Sequence, residues 1–217
     1  MKEGIIFDFD GVLVHTERST FEFYKELLPK YGFFLKDEDF KYKAGRKSVD
    51  FFRDVLGEKF DADFVSDITN QKRRAFSDDV RRYVTLIDGA RETLAFCKDL
   101  GLRIGLGSQN ERFFIDKVLE EFELTVFFDT TVSLQDVANK KPNPEIFLKA
   151  AKALNVSPKN SIVVEDAPEG LEAAKIGGFY AVGITTSHPK EVLHDADVIL
   201  ASVQELQNDE YRDMFLS

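Results

Sequence analysis

The sequence predicts an α/β fold: a doubly wound, mainly parallel sheet with an all-helical segment inserted after its first strand. Three observations carry this reading. From residue 84 onward, continuous apolar strands alternate with helical patterns, which argues for a parallel sheet covered on both faces. One further apolar strand stands apart near the N-terminus, Gly4-Ile5-Ile6-Phe7-Asp8-Phe9. Between the two, residues 15–83 show helical periods and no convincing strand. The expected organisation is an α/β core of residues 1–14 and 84–217, with a helical domain over 15–83.

The elements follow in order. In the insert, apolar residues recur at Phe21, Tyr24, Leu27, Leu28 and Tyr31, then at Val49, Phe52 and Leu56, then at Phe64, Val65, Ile68 and Phe76. Gly32, Gly45 and Gly57 punctuate these helices. After Thr85 a helix runs from Asp88 or Gly89 to Leu100 and stops at Gly101. The strand Arg103–Gly107 leads to Ser108, and a helix from about Glu111 to Phe122 leads to the apolar Val126-Phe127-Phe128. A helix over Pro144–Leu154 precedes the strand Ser161–Glu165. Next come a helix over Pro168–Ile176, halted by Gly177-Gly178, and the strands Tyr180–Gly183 and Val198–Leu200.

Composition narrows the function classes. The 217 residues are 43% hydrophobic and 31% charged, an ordinary globular balance. A chain of this length buries roughly 70% of its unfolded surface, so it needs no disulfide or metal to fold. The 21 Phe and the absence of Trp predict a Phe-rich core. A net charge of −10 argues against nucleic acid or an anionic membrane as partner through bulk electrostatics. The acidity is uneven: residues 15–83 carry 15 basic and 14 acidic side chains, the remainder 14 and 25. Cys97, the single cysteine, lies in the apolar run Leu94-Ala95-Phe96-Cys97 and reads as buried filler. Met1-Lys2-Glu3 leads into only a short apolar run, and no stretch reaches the roughly 20 apolar residues of a membrane span, so a soluble cytoplasmic protein is expected.

The chemistry-bearing residues sit where strands end. Asp8-Phe9-Asp10-Gly11 places two carboxylates where the first strand gives way to a loop, at the carboxyl edge of a parallel sheet. Such a pair suits a hard divalent cation such as Mg²⁺, or a division of labour between nucleophile and acid/base. Glu165-Asp166 repeats the arrangement after Ile162-Val163-Val164. Asp166 could equally cap the helix that follows, which would leave Glu165 unexplained. Ser108, with the backbone N–H groups of Gln109 and Asn110, forms an expected anion site at a helix start. Lys140-Lys141-Pro142-Asn143-Pro144 is a rigid basic turn, in which Lys141 could neutralise phosphate or hold a nucleophilic carboxylate ionised.

Taken in order, these pieces resemble the haloacid dehalogenase-like hydrolase superfamily. The resemblance rests on Asp8-Phe9-Asp10-Gly11-Val12-Leu13, on Ser108, on Lys141-Pro142-Asn143-Pro144-Glu145, and on Val163-Val164-Glu165-Asp166-Ala167-Pro168-Glu169-Gly170 with the Leu171-Glu172-Ala173-Ala174 that follows. It is greatest to the phosphoglycolate phosphatase and β-phosphoglucomutase branch, with a Rossmann-like core and a helical cap. The resemblance implies that Asp8 attacks phosphorus to form an aspartyl-phosphate. Asp10 would protonate the leaving oxygen and then activate water. Mg²⁺ would be held by Asp8, the backbone carbonyl of Asp10 and Asp166, with Glu165 nearby or directly ligated. Ser108 and Lys141 would bind the transferring group. The expected partner is a small phosphorylated metabolite, and the expected assembly a monomer or weak homodimer.

Some positions depart from the branch pattern. His15 stands where an acid is usual, before Thr16-Glu17. Thr20 aligns with the cap histidine of the mutases and cannot shuttle a proton as it does. Their Gly-x-x-Arg loop aligns with Gly45-Arg46-Lys47-Ser48, where Ser replaces Arg. Both changes favour hydrolysis over mutase activity. Arg46 and Lys47 could still read a second anionic group on the substrate. Dehalogenation is disfavoured, because dehalogenases of the superfamily need no Mg²⁺ and lack the second aspartate. A phosphomutase and a non-catalytic phosphate-sensing or partner-binding module stand as the alternatives to a phosphatase.

Overall fold

The computed structural model describes residues 1–42, 48–211, 214 and 215, so Arg46 and Lys47 lie outside the described residues. The chain divides into two compact units, Met1–His15 with Leu86–Ser217, and Thr16–Thr85.

The N-terminal strand is β1 (Gly4–Phe7), followed by the short β2 (Val14–His15). The inserted unit is helical: α1 (Glu17–Leu27), α2 (Ser48–Leu56), α3 (Ala62–Asp78) and α4 (Val80–Tyr83). Its core is aromatic. Phe21, Tyr24, Phe51 and Phe52 are fully buried with Leu28 and Ile68, and the Tyr24 and Phe52 rings meet edge-on at 4.7 Å. Asp61 starts α3 by accepting the Phe64 N–H at 2.8 Å. One expectation shifts here. Val49 is exposed and Phe51 takes its place in the core. Phe51, Phe52 and Leu56 form the buried side of α2, and Val49 lies in its first turn, where it stays exposed.

The chain leaves the insert through β3 (Thr85–Leu86), which belongs with β2 to a two-stranded sheet. The core continues as α5 (Ala90–Asp99), β4 (Arg103–Gly107), α6 (Arg112–Glu121), β5 (Thr130–Val132) and α7 (Glu145–Leu154), then β6 (Ser161–Glu165), α8 (Pro168–Ile176), β7 (Tyr180–Ile184) and β8 (Val198–Leu200). Six strands form one sheet in the order β5-β4-β1-β6-β7-β8. Every neighbouring pair is parallel. The expected doubly wound sheet is therefore present. The edge strand β5 is an addition to the expected elements, and Val126 and Phe127 lie in a 3₁₀ turn before it.

Side chains of alternate strand residues pack on opposite faces. Ile6, Val163 and Ala181 meet Phe147 of α7 and Leu171 of α8 in one buried cluster. Ile5, Phe7, Ile104 and Leu106, also fully buried, belong to the other face. Cys97 of α5 is buried and free, as expected of a filler. The Lys2 N–H donates to the Phe215 carbonyl at 2.8 Å, and Met214 and Phe215 are buried against the core.

Candidate active site

The sheet order places the site. From β1 the chain moves to β4 and β5 on one side, then returns to β6, β7 and β8 on the other. The crevice at such a switch point opens at the carboxyl ends of the strands. Phe7 is level with Leu106 on one side and with Val164 on the other. Asp8 thus emerges from the sheet next to Glu165 and the Gly107-Ser108 turn. The backbone holds these ends. The Asp8 N–H donates to the Val164 carbonyl at 2.9 Å, and the Ser108 N–H to the Val132 carbonyl at 3.0 Å.

Asp8, Glu165 and Asp166 converge, with carboxylate oxygens within 4.8 Å of one another, and all three are buried. Lys141 reaches into this group from the loop before α7. Its Nζ donates to Asp8 Oδ1 at 2.5 Å, to Glu165 Oε1 at 2.6 Å and to the Gly107 carbonyl at 3.3 Å. The Phe147 ring lies 4.7 Å beneath the ammonium. The Lys141–Pro142 peptide bond is cis.

Glu165 is bonded through both of its oxygens. Its second oxygen accepts the N–H groups of Asp166 and Ala167 at 2.9 and 3.0 Å. The helix-start role considered for Asp166 is not filled by any side chain: α8 has no side-chain cap at Ala167, and Glu165 binds the two N–H groups that precede the helix. Asp166 instead points toward Gly11 and Ser187. A Cβ at Gly11, whose φ is +74°, would overlap the Asp166 carboxylate and come within 2.7 Å of Ser187 Oγ. A Cβ at Gly170 would likewise overlap the Glu165 carboxylate. Both carboxylates are seated where only glycine leaves room.

Burial governs the electrostatics. It pushes the Asp8 carboxyl up to about 7, with Lys141 opposing and Glu165 and Asp10 assisting. Asp166 rises well above the usual carboxylate range through burial and the charges of Glu165 and Asp8, against a hydrogen bond from Ser187. Burial disfavours the charged form of Lys141, but the carboxylates of Asp8 and Glu165 outweigh it and hold the ammonium above its ordinary value. Fully ionised, three buried carboxylates against one ammonium would leave negative charge uncompensated, which is what drives Asp8 and Asp166 toward their neutral forms. A hard divalent cation fits such an oxygen donor set.

Asp10 follows Asp8 into a closed turn, in which the Gly11 N–H donates to the Val14 carbonyl at 2.8 Å. Its carboxylate is outside the three-carboxylate group among the described residues and instead accepts the Asn110 side-chain amide. Ser108 is buried beside it. The Asn110 backbone N–H, expected as an anion donor, is turned onto Ser108 Oγ at 3.2 Å, and α6 starts two residues later, at Arg112. The Gln109 side-chain nitrogen is buried without a hydrogen-bond partner, so it is a donor available in this region.

Two neighbours of the site escaped the sequence reading. Ser187 hydrogen-bonds the Asp166 carboxylate. The His188 ring is hydrogen-bonded through Nδ1 to the Asp166 carbonyl at 3.0 Å. Both follow β7, and the available signal was their position after an apolar strand adjoining β6.

Fold and site together define a doubly wound enzyme with a carboxylate–lysine centre at the switch point of its sheet. The family described as haloacid dehalogenase-like hydrolase matches residues 5–187, and the chain belongs to it. It is similar to a validoxylamine A 7'-phosphate phosphatase of Streptomyces hygroscopicus subsp. limoneus, with 31% identity over 95% of this chain and 97% of that protein. It is also similar to a phosphorylated carbohydrates phosphatase of Thermotoga maritima, 30% identical over 95% and 97% of the two chains. Among solved structures, a β-phosphoglucomutase from Clostridium difficile superposes with a TM-score of 0.77 at 26% identity, covering 100% of this chain and 98% of that one. No helix among the described residues is long and apolar enough to cross a membrane.

Proposed function

We propose that this chain is a Mg²⁺-dependent phosphatase of small phosphorylated metabolites, of the sugar phosphate or phosphoglycolate type, acting through an aspartyl-phosphate on Asp8. The observation that carries the reading is the Asp8 carboxylate, held at the end of β1 against the Lys141 ammonium at 2.5 Å with Glu165 and Asp166 beside it. Phosphoryl transfer demands position and charge neutralisation, and this grouping supplies both.

Asp8 attacks phosphorus, the ester P–O bond breaks, and Asp10 gives its proton to the departing oxygen. Water then attacks the aspartyl-phosphate while Asp10 takes its proton, releasing phosphate and restoring Asp8. Lys141 and Ser108, with the amide of Gln109, bind the phosphoryl oxygens. Asp8, Asp166 and the Asp10 backbone carbonyl would hold Mg²⁺, with Glu165 anchoring Lys141 beside them. The ion would neutralise phosphoryl charge. The helical domain of residues 15–83 is proposed as the cap that selects substrate, with Arg46 and Lys47 reading a second anionic group. A cytoplasmic monomer or weak homodimer completes the reading.

The likeness to a β-phosphoglucomutase favours a mutase as the second reading. Thr20, which has no ionisable group, weighs against it. The test is phosphate release from p-nitrophenyl phosphate and a panel of sugar phosphates, with and without Mg²⁺, by wild type and Asp8→Asn. Mg²⁺-dependent release lost in the variant supports the phosphatase. Conversion between sugar phosphates without net release would replace it with the mutase, and metal binding without any turnover would replace both with a non-catalytic phosphate-binding module.

A further inference from the structure

We infer that the Asn110 side chain is a positioning residue that orients the Asp10 carboxylate and the Ser108 hydroxyl toward the reacting group. The inference rests on the acid/base role proposed for Asp10. The Asn110 backbone is held in place, because its main-chain carbonyl accepts the Leu134 N–H at 3.0 Å. The side-chain amide nitrogen donates twice, to Asp10 Oδ2 at 2.5 Å and to Ser108 Oγ at 3.1 Å. The Asn110 backbone N–H adds a second bond to the same Ser108 oxygen at 3.2 Å.

Donor chemistry gives these contacts a direction. An amide nitrogen has hydrogens and no lone pair to offer, so the Asp10 oxygen that faces it serves as an acceptor. That contact fixes how the Asp10 carboxylate is turned. Ser108 Oγ is constrained in the same way: it accepts two bonds from Asn110, so its own O–H is left to donate to a third group. One side chain thus orients the proposed acid and the proposed phosphate donor together. Misplacing a catalytic group by about 1 Å costs on the order of 100-fold in rate.

The consequence depends on the leaving group. An alkoxide must be protonated as it departs, whereas p-nitrophenolate leaves without that help. The experiment compares kcat/KM for p-nitrophenyl phosphate and for an alkyl phosphate that the wild type hydrolyses, both with Mg²⁺. The ratio kcat/KM covers phosphoryl transfer to Asp8 and leaves out the later hydrolysis shared by both esters. Variants are Asn110→Ala, the similarly sized Asn110→Leu, and Asp10→Asn as reference, each checked for folding by its thermal midpoint.

The Asn110 variants are expected to lose about 10–100-fold on the alkyl phosphate, at least about tenfold more than on p-nitrophenyl phosphate. Asp10→Asn should show the same selectivity more strongly. Equal losses on both esters in a folded Asn110 variant would overturn the inference and leave Asn110 with phosphate binding alone. If Asp10→Asn itself shows no dependence on leaving group, the acid/base role of Asp10 fails, and the inference with it.

Discussion

Lys141 offers the sharpest test of how the site is held together. Its side chain is only 8% exposed, and those of its partners Asp8 and Glu165 are 12% and 2% exposed. Replacing it with Met keeps much of the stem over Phe147 but removes the ammonium, leaving three carboxylates buried in a group only 4.8 Å across. Breaking a buried pair by deleting one partner costs about 3–5 kcal/mol, because the other charge is left uncompensated. Lys141→Met should therefore lose about that much stability at pH 8 in metal-free buffer, measured by urea unfolding of the core. The loss should shrink at pH 5, because Asp8, already pushed up to about 7 in the wild type, is then protonated and no longer needs the ammonium. Adding Mg²⁺ should recover part of the loss at pH 8, since an ion that binds only the folded state stabilises it by mass action. A loss below about 1 kcal/mol at pH 8, or equal losses at the two pH values, would refute the reasoning.

Other outcomes follow from the same geometry. Asp8 is raised from 3.8 to about 7, so the folded apoprotein holds a proton that the unfolded chain releases between those values. Stability without metal should fall as pH rises from about 4 to 7, on the order of 4 kcal/mol from this group alone, in a urea titration series. Because metal binding must displace that proton, calorimetry in buffers of different ionisation enthalpy should detect proton release near pH 6. Gly11→Ala, which drives a Cβ into the Asp166 carboxylate at a φ of +74°, should cost about 1–3 kcal/mol and weaken Mg²⁺ binding, read by thermal shift with and without the ion. Cys97, its thiol pushed up to about 12 by burial, should resist iodoacetamide at pH 8 in the native protein and react readily in strong urea.

Much of the core was legible because its strands are continuous apolar runs. Gly4–Phe7, Arg103–Gly107 and Ser161–Glu165 sit where the sequence pattern puts them. The strand β5 was not legible: it is three residues long, sits at the sheet edge, and reads Thr-Thr-Val, with too little apolar signal to stand out. The register of α2 was misread for a related reason. Phe51, Phe52 and Val49 are all apolar, so periodicity alone could not say which of them faces Tyr24. Ser187 and His188 follow a strand as Asp8 and Glu165 do, but a hydroxyl and an imidazole in a polar loop carry no charge signature. Their part emerges only once the Asp166 carboxylate is seen to meet Ser187 and its backbone carbonyl the His188 ring.

The candidate site residues could be named singly from the sequence, but their convergence depends on strand order. Asp8 and Glu165 are separated by most of the chain, and each is merely an acid after an apolar strand. Placing β6 beside β1, with Phe7 level with Val164, makes them neighbours. Placing β4 on the other side, with Phe7 level with Leu106, brings in the Gly107 carbonyl that Lys141 also reaches. A parallel sheet aligns the carboxyl ends of its strands, so acids written at strand ends are delivered to one edge whatever the loops between them do. Strand order is set by the apolar faces that α7 and α8 bury against Ile6, Val163 and Ala181, and those residues never touch the chemistry. The charge concentration at Asp8, Glu165 and Asp166 is unfavourable on its own. It persists because this buried core fixes the edge, and because Lys141, and the cation we propose, complete it.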